Sequence, residues 1–124
     1  MNIEEFRDYC LSKKYVTESF PFDEATLVFK VANKMFVIVP LEKWDIGEAS
    51  ITIKCDPDYT LELREEYESI YPGPYVNNRH WNTISMYTGE LQQDFVLQLI
   101  DHSYDMVVKG LPKKIRDQLD SEKL

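Results

Sequence analysis

Residues 26–40 read TLVFKVANKMFVIVP, and this stretch decides the fold. β-branched and aromatic residues, which favour strands, dominate both of its halves. Between them stand Ala32 and Asn33, and asparagine accepts the left-handed backbone conformation that a tight hairpin turn requires. The stretch therefore predicts two antiparallel strands, Thr26–Val31 and Lys34–Pro40, joined by a two-residue turn.

A two-residue turn also predicts how the two strands align. It places Phe29 opposite Phe36 and Leu27 opposite Ile38 on one face of the hairpin. The residues expected on the other face are Val28, Val37, Met35 and Lys30. Because both faces are largely apolar, the hairpin is expected either to lie near the middle of the fold or to present one face as a binding surface.

The segments around the hairpin add helices and further strands. Asn2 and Glu5 form a variant capping box, which predicts a first helix ending at about Lys13. The other predicted elements are a half-buried strand at residues 51–55, a helix opened by Asp56 and Pro57, a short strand at 82–86, a long core helix from 90 to 110, and a short basic helix after Pro112.

This order predicts an α+β fold, a single domain in which a twisted antiparallel sheet of three or four strands is packed by helices. A chain of 124 residues fits one domain. We expect that domain to cover residues 1–119 and a polar C-terminal tail to cover residues 120–124.

The composition narrows the classes of function. The net charge of −8 argues against indiscriminate binding to nucleic acid. Cys10 and Cys55 have no disulfide or metal spacing, so we interpret them as small buried hydrophobic residues. The chain begins without the features of a signal peptide, and its longest apolar run falls far short of the ~20 residues of a membrane helix. A cytoplasmic protein without a membrane partner is expected.

No catalytic motif stands out. Asp101, His102 and Ser103 carry the side chains of a hydrolase triad, but successive residues of a helix point about 100° apart, so they cannot form a relay with one another. Phosphate-binding loops, nucleophile elbows and paired-histidine metal motifs are absent from the sequence. We therefore predict a protein without catalytic residues, metal or cofactor.

The segment YVNNRHWN at residues 75–82 is the first candidate binding site. Asn78, Arg79, His80 and Trp81 bring hydrogen-bonding groups, a cation and an aromatic ring to one loop, which suits contacts with phosphates or base edges. The alternative is that Arg79 pairs with a surface carboxylate and Trp81 caps the core.

A second cluster of cations follows at the end of the long predicted helix. Lys109, Lys113, Lys114 and Arg116 lie within eight residues. Cations in this place also offset the helix dipole and solubilise the helix end, and that interpretation stays open.

Several short motifs, in this order along the chain, resemble the MmcQ/YjbR family. They are VTESFPFD at 16–23, LVFKV at 27–31 with KMF at 34–36, KCDP at 54–57, NRHWNT at 78–83, DHSY at 101–104 and VKGLPKK at 108–114. The resemblance extends to about residue 119. It implies an α+β fold described as a double wing and a role in DNA binding. The contact residues it carries over are Arg79, His80, Trp81, Lys109, Lys113 and Lys114.

Two hypotheses of function follow. The first is a small DNA-binding or regulatory protein that uses the 78–82 loop and the basic 109–116 segment, with weak and salt-dependent affinity. The second is a protein- or small-ligand-interaction module with no nucleic-acid role, motivated by the acidic charge and by the hairpin that is apolar on both faces. A monomer is favoured.

Overall fold

The computed structural model describes residues 1–121. Its helices are α1 (Ile3–Leu11), α2 (Leu41–Asp45), α3 (Pro57–Glu66), α4 (Gln93–Lys109) and α5 (Lys113–Ser121). Its strands are β1 (Val16–Ser19), β2 (Thr26–Val31), β3 (Lys34–Pro40), β4 (Ser50–Lys54), β5 (Ile70–Tyr71) and β6 (Trp81–Ser85). Of the predicted tail, residues 120 and 121 belong to α5, and residues 122–124 lie outside the described residues.

The strands form one antiparallel sheet in the order β1-β2-β3-β4-β6-β5. The predicted α+β class is confirmed, although the sheet has six strands rather than three or four. The two strands that the sequence pattern missed lie at the edges of the sheet. β1 has four residues and β5 only two. Such short segments carry too few residues to show the alternation of a strand.

The hairpin turn is the predicted one. Ala32 and Asn33 have φ values of 48° and 68°, the pair of left-handed residues that a type I′ turn requires. The predicted alignment of the strands is nevertheless wrong beyond Lys30. A bulge shifts the register between Phe29 and Lys30, so that Phe29 lies opposite Val37 instead of Phe36. Leu27 lies opposite Val39 instead of Ile38.

The bulge places two successive residues of β3 in the same core. Phe36 and Val37 are both fully buried in the main hydrophobic cluster, and the ring of Phe36 packs edge-on against Tyr104 with centroids 5.6 Å apart. Val37, predicted on the outer face, is therefore a core residue. Ile38 pairs with Val28 and turns to the outer face instead.

The core lies between one face of the sheet and helices α1, α3 and α4. Each of these helices contributes buried apolar residues, among them Phe6 and Cys10 from α1, Leu63 from α3 and Leu99 and Ile100 from α4. The predicted capping box opens α1, with the Asn2 side chain accepting the Glu5 amide and the reciprocal bond also present. Both cysteines are buried and unpaired, and burial raises the pKa of Cys10 to about 12.

Ser103 connects α4 to two neighbouring strands. Its buried hydroxyl donates to the Phe36 carbonyl at 2.6 Å and accepts from the Lys54 amide at 2.9 Å. Phe36 lies at the bulge, where the ladder is interrupted, so the serine supplies a partner for a backbone carbonyl there. Within residues 1–121, no helix combines the length and the hydrophobicity needed to cross a membrane.

Candidate functional site

The face of the sheet opposite α4 carries small hydroxyl side chains at its centre. Thr52 of β4 lies directly opposite Thr83 of β6, and their γ-oxygens are 2.9 Å apart. Ser50 and Ser85 form the next pair on this face. Two threonine hydroxyls bonded to each other retain one donor and several acceptor sites, so they can still bond a ligand.

A cavity of about 590 Å³ opens on this face, and we call it the sheet cavity. Its apolar lining residues are Phe22, Met35, Ile38, Pro40, Tyr71, Pro74, Tyr75 and Val76. Its polar lining residues are Asp23, Thr26, Lys43, Ser50, Thr52 and Thr83. The strands supply its floor, and its walls come from the 20–25 loop, α2 and the 72–80 loop. The outer face of the hairpin is thus partly accessible, as the second hypothesis requires.

Gly73 seats one wall of the sheet cavity directly on the sheet. A Cβ atom at this position would come within 2.3 Å of the Thr83 γ-oxygen, closer than side chains pack. Only glycine lets the backbone approach the threonine this closely. The Pro-Gly-Pro sequence at 72–74 was read as the stop of a helix, and its role in shaping a cavity depends on this tertiary contact.

Three aromatic rings stand at the mouth of the sheet cavity. Phe22 is 62% exposed and Tyr71 is 38% exposed, and the side chain of Tyr75 is fully exposed. Tyr75 also has a φ of 63°, an unfavourable conformation for a residue with a side chain. Exposed aromatic rings gathered beside a concave surface are typical of binding sites.

The candidate loop at residues 78–81 lies at the opposite end of β6. Asn78 and Arg79 are exposed, whereas His80 and Trp81 are half-buried. The loop is held by its backbone: the Asn77 side chain accepts the Arg79 amide at 2.9 Å, and the His80 carbonyl accepts the Cys55 amide at 2.7 Å.

Arg64 of α3 is the residue that fixes this loop, and the sequence gave no sign of that role. Its guanidinium donates to the Asn82 side-chain oxygen at 2.7 Å, to the Trp81 carbonyl at 3.0 Å and to the Asn78 carbonyl. The helical pattern had indicated only that the aliphatic stem of Arg64 packs on the core. Its partners lie 14 to 18 positions along the chain, beyond the reach of a local pattern.

The two predicted basic clusters are not joined on one face by the sheet. Trp81 pairs with Lys54 on the face opposite α4, whereas Lys109 ends α4 itself. Lys109, Lys113 and Lys114 are exposed. The ion pairs found within residues 1–121 are Arg7–Glu18, Lys13–Asp101 and Lys43–Glu48, so the suggested pairing of Arg79 with a carboxylate is not among them.

The side chains of Asp101, His102 and Ser103 diverge, as the helical geometry predicted. Asp101 accepts the Tyr9 hydroxyl at 2.6 Å, and Ser103 binds the strands. His102 accepts the Asp56 amide through Nε2 at 3.1 Å, and burial lowers its pKa, which favours the neutral ring. Each residue thus has a separate structural partner.

Fold and cavity together define a small α+β protein with helices on one face of its sheet and an open, mainly apolar cavity on the other. The model of the YjbR family matches residues 11–106, more than half of the chain. The chain therefore belongs to the YjbR family.

Relatives and solved structures agree with this assignment. The chain is 34% identical to the uncharacterized protein YbdF of Escherichia coli O157:H7, over 93% of this chain and 89% of that protein. It is 28% identical to the uncharacterized protein YjbR of Escherichia coli K12, over 96% and 98% of the two chains. The crystal structure of Deinococcus radiodurans DR2400, a DUF419 domain, superposes with a TM-score of 0.85 at 31% identity, covering 96% of this chain and 88% of DR2400. A Pseudomonas syringae protein gives a TM-score of 0.69 at 26% identity, covering 86% and 98%.

Proposed function

We propose that this protein is a non-enzymatic binding module whose sheet cavity holds a small, largely apolar ligand. The observation that carries this proposal is the cavity itself, about 590 Å³ in volume and lined mainly by apolar side chains. Ligand pockets occupy roughly 300–1,000 Å³ and combine an apolar lining with a few polar groups. Here the threonine pair Thr52 and Thr83 provides the polar groups at the floor.

The position of the cavity supports the same function. The helix-covered face holds the main core, so the cavity is not needed to complete that core. Val28, at the centre of the hairpin's outer face, is already fully buried, whereas Met35 and Ile38 beside it are only half-buried. A ligand that covers Met35 and Ile38 would gain roughly 25 cal/mol for each Å² of apolar surface removed from water.

Filling or charging the cavity is expected to abolish ligand binding. The probe is Nile red, an uncharged dye whose fluorescence rises in apolar surroundings. Met35→Trp fills the cavity and Ile38→Arg introduces a charge, so each is expected to weaken dye binding by about tenfold or more. Fluorescence titration measures the affinities.

The matched control is Leu61→Arg, because Leu61 is 65% exposed on α3 and does not line the cavity. It is expected to bind the dye as the unmodified protein does. Circular dichroism checks that each variant is folded. Equal dye binding by all three variants would contradict a site in the sheet cavity.

A DNA-binding role is the second candidate, in agreement with the family resemblance. The observation that favours it is the exposure of Arg79, Lys109, Lys113 and Lys114, none of which takes part in the ion pairs found within residues 1–121. Cations left without carboxylate partners are available to phosphates. Asn78, His80 and Trp81 would add polar and stacking contacts beside Arg79. A regulatory role and a cytoplasmic location belong to this proposal.

Fluorescence anisotropy with a labelled mixed-sequence duplex tests this second function. We expect saturable binding that weakens steeply as salt rises, and the double variant Arg79→Ala/Lys113→Ala is expected to reduce the salt slope by about two phosphate contacts. The control Lys34→Ala/Lys43→Ala removes the same charge elsewhere and is expected to keep the slope. No binding to duplex at low salt, or equal slopes for both double variants, would exclude the proposed contacts.

A further inference from the structure

We propose that the ligand of the sheet cavity is an organic cation with an apolar body, such as an arylalkyl amine or a quaternary ammonium compound. The apolar body would lie in the cavity and the charged nitrogen at its mouth. This inference rests on the proposed binding function and names the chemical class of its ligand. Aromatic rings, a fixed carboxylate and the surrounding charge all favour a cation.

The aromatic rings at the mouth supply the first argument. Phe22, Tyr71 and Tyr75 line the cavity and expose much of their ring surface to solvent. The face of an aromatic ring carries negative charge density and attracts cations, and several rings around one opening are the usual receptor for ammonium groups. A purely apolar ligand would gain nothing from this choice of side chains over aliphatic ones.

Asp23 supplies the second argument, because it is the carboxylate that lines the cavity. Its Oδ1 accepts the amides of Thr26 at 2.7 Å and Ala25 at 2.9 Å, which fixes the side chain in the wall. Hydrogen bonds from Thr26 and then from Ala25 hold the pKa of Asp23 below its usual range. The wall therefore carries a negative charge at neutral pH.

The other charges near the mouth do not cancel this one. Lys43 also lines the cavity, but its ammonium is 3.8 Å from the carboxylate of Glu48, which offsets it. Tyr71 is shared with an adjoining open cleft that is lined by Glu68 and Glu90. With a net charge of −8 on the whole chain, the field at the mouth attracts cations and repels anions.

Three soluble probes of similar size and different charge test the proposal: phenethylammonium, phenethyl alcohol and hydrocinnamate. Each is titrated into isotope-labelled protein, and the backbone amide signals of Thr26, Thr52 and Thr83 report binding in the cavity. We expect the cation to bind about three- to tenfold more tightly than the alcohol, and the anion to bind more weakly than both. The preference for the cation is expected to shrink as salt is added.

Asp23→Asn isolates the carboxylate. Asparagine can accept the same two backbone amides, so the loop is retained while the charge is lost. The variant is expected to lower the preference for the cation over the alcohol by about threefold. Its control is Glu62→Gln, which removes one exposed carboxylate from α3, on the other side of the sheet, and is expected to change nothing.

The outcomes separate the ligand class from the binding function. Equal affinities for the cation and the alcohol, or a preference for hydrocinnamate, would overturn the cation proposal while leaving a functional cavity. An unchanged preference in Asp23→Asn would also overturn it. If the cation does not bind at all, the cation proposal is wrong, and the Nile red titration decides whether the binding function fails with it.

Discussion

Replacing Ser103 by alanine is expected to lower the free energy of unfolding by about 2–4 kcal/mol. The hydroxyl of Ser103 is fully buried and bonds two backbone groups, the carbonyl of Phe36 and the amide of Lys54. Alanine deprives both groups of this partner in a place that water does not reach. Each buried polar group left without a partner costs about 1–3 kcal/mol, which accounts for the size of the effect.

The position of Ser103 makes the loss felt by the whole sheet. Phe36 lies at the bulge of β3, and Lys54 ends β4, so the serine joins two adjacent strands to α4. Urea unfolding, followed by circular dichroism, measures the difference. Ser121→Ala is the control, because the exposed Ser121 also donates to a backbone carbonyl, at 3.1 Å, and its loss is expected to cost less than about 0.5 kcal/mol. Similar losses in both variants would refute the bridging role of Ser103.

Arg64→Met is expected to lower the free energy of unfolding by about 2–3 kcal/mol and to loosen the loop at residues 78–81. Methionine keeps the apolar stem of the side chain but removes all three bonds of the guanidinium. Asn82 is buried and loses the partner of its side-chain oxygen, and the carbonyls of Asn78 and Trp81 lose a charged donor.

Hydrogen exchange locates the effect of this variant. The amides of residues 78–82 are expected to exchange faster in Arg64→Met, whereas those of α4 change only in step with global stability. Arg116→Met serves as the control, since Arg116 is exposed on α5 and is expected to be neutral in both measurements. Unaltered exchange in the loop would mean that its conformation does not depend on Arg64.

Local patterns in the sequence were sufficient for most of the fold. The hairpin turn, the capping box of α1 and the apolar stripe of α4 each depend on residues close together in the chain, and all three are found where predicted. The bulge was missed because one inserted residue leaves the composition of β3 unchanged. It reverses the faces of Val37 and Ile38 only by shifting their partners on β2.

The candidate sites show the same limit more clearly. The loop at residues 78–81 was noticed for its chemistry, but the residue that anchors it, Arg64, comes from another helix. The sheet cavity was foreshadowed only by a hairpin that is apolar on both faces. Its walls are formed by two loops, around Phe22 and Tyr75, that are more than 50 residues apart in the chain and meet only in the folded protein.

The close approach of Gly73 to Thr83 also has an evolutionary consequence. The space that a Cβ at 73 would need is the space that the Thr83 γ-oxygen occupies, 2.3 Å away. The two positions are therefore constrained as a pair. A lineage can gain a side chain at 73 and keep this wall only by accepting a smaller residue at 83. Coupled substitution at these two positions would record which family members have kept the cavity in this shape.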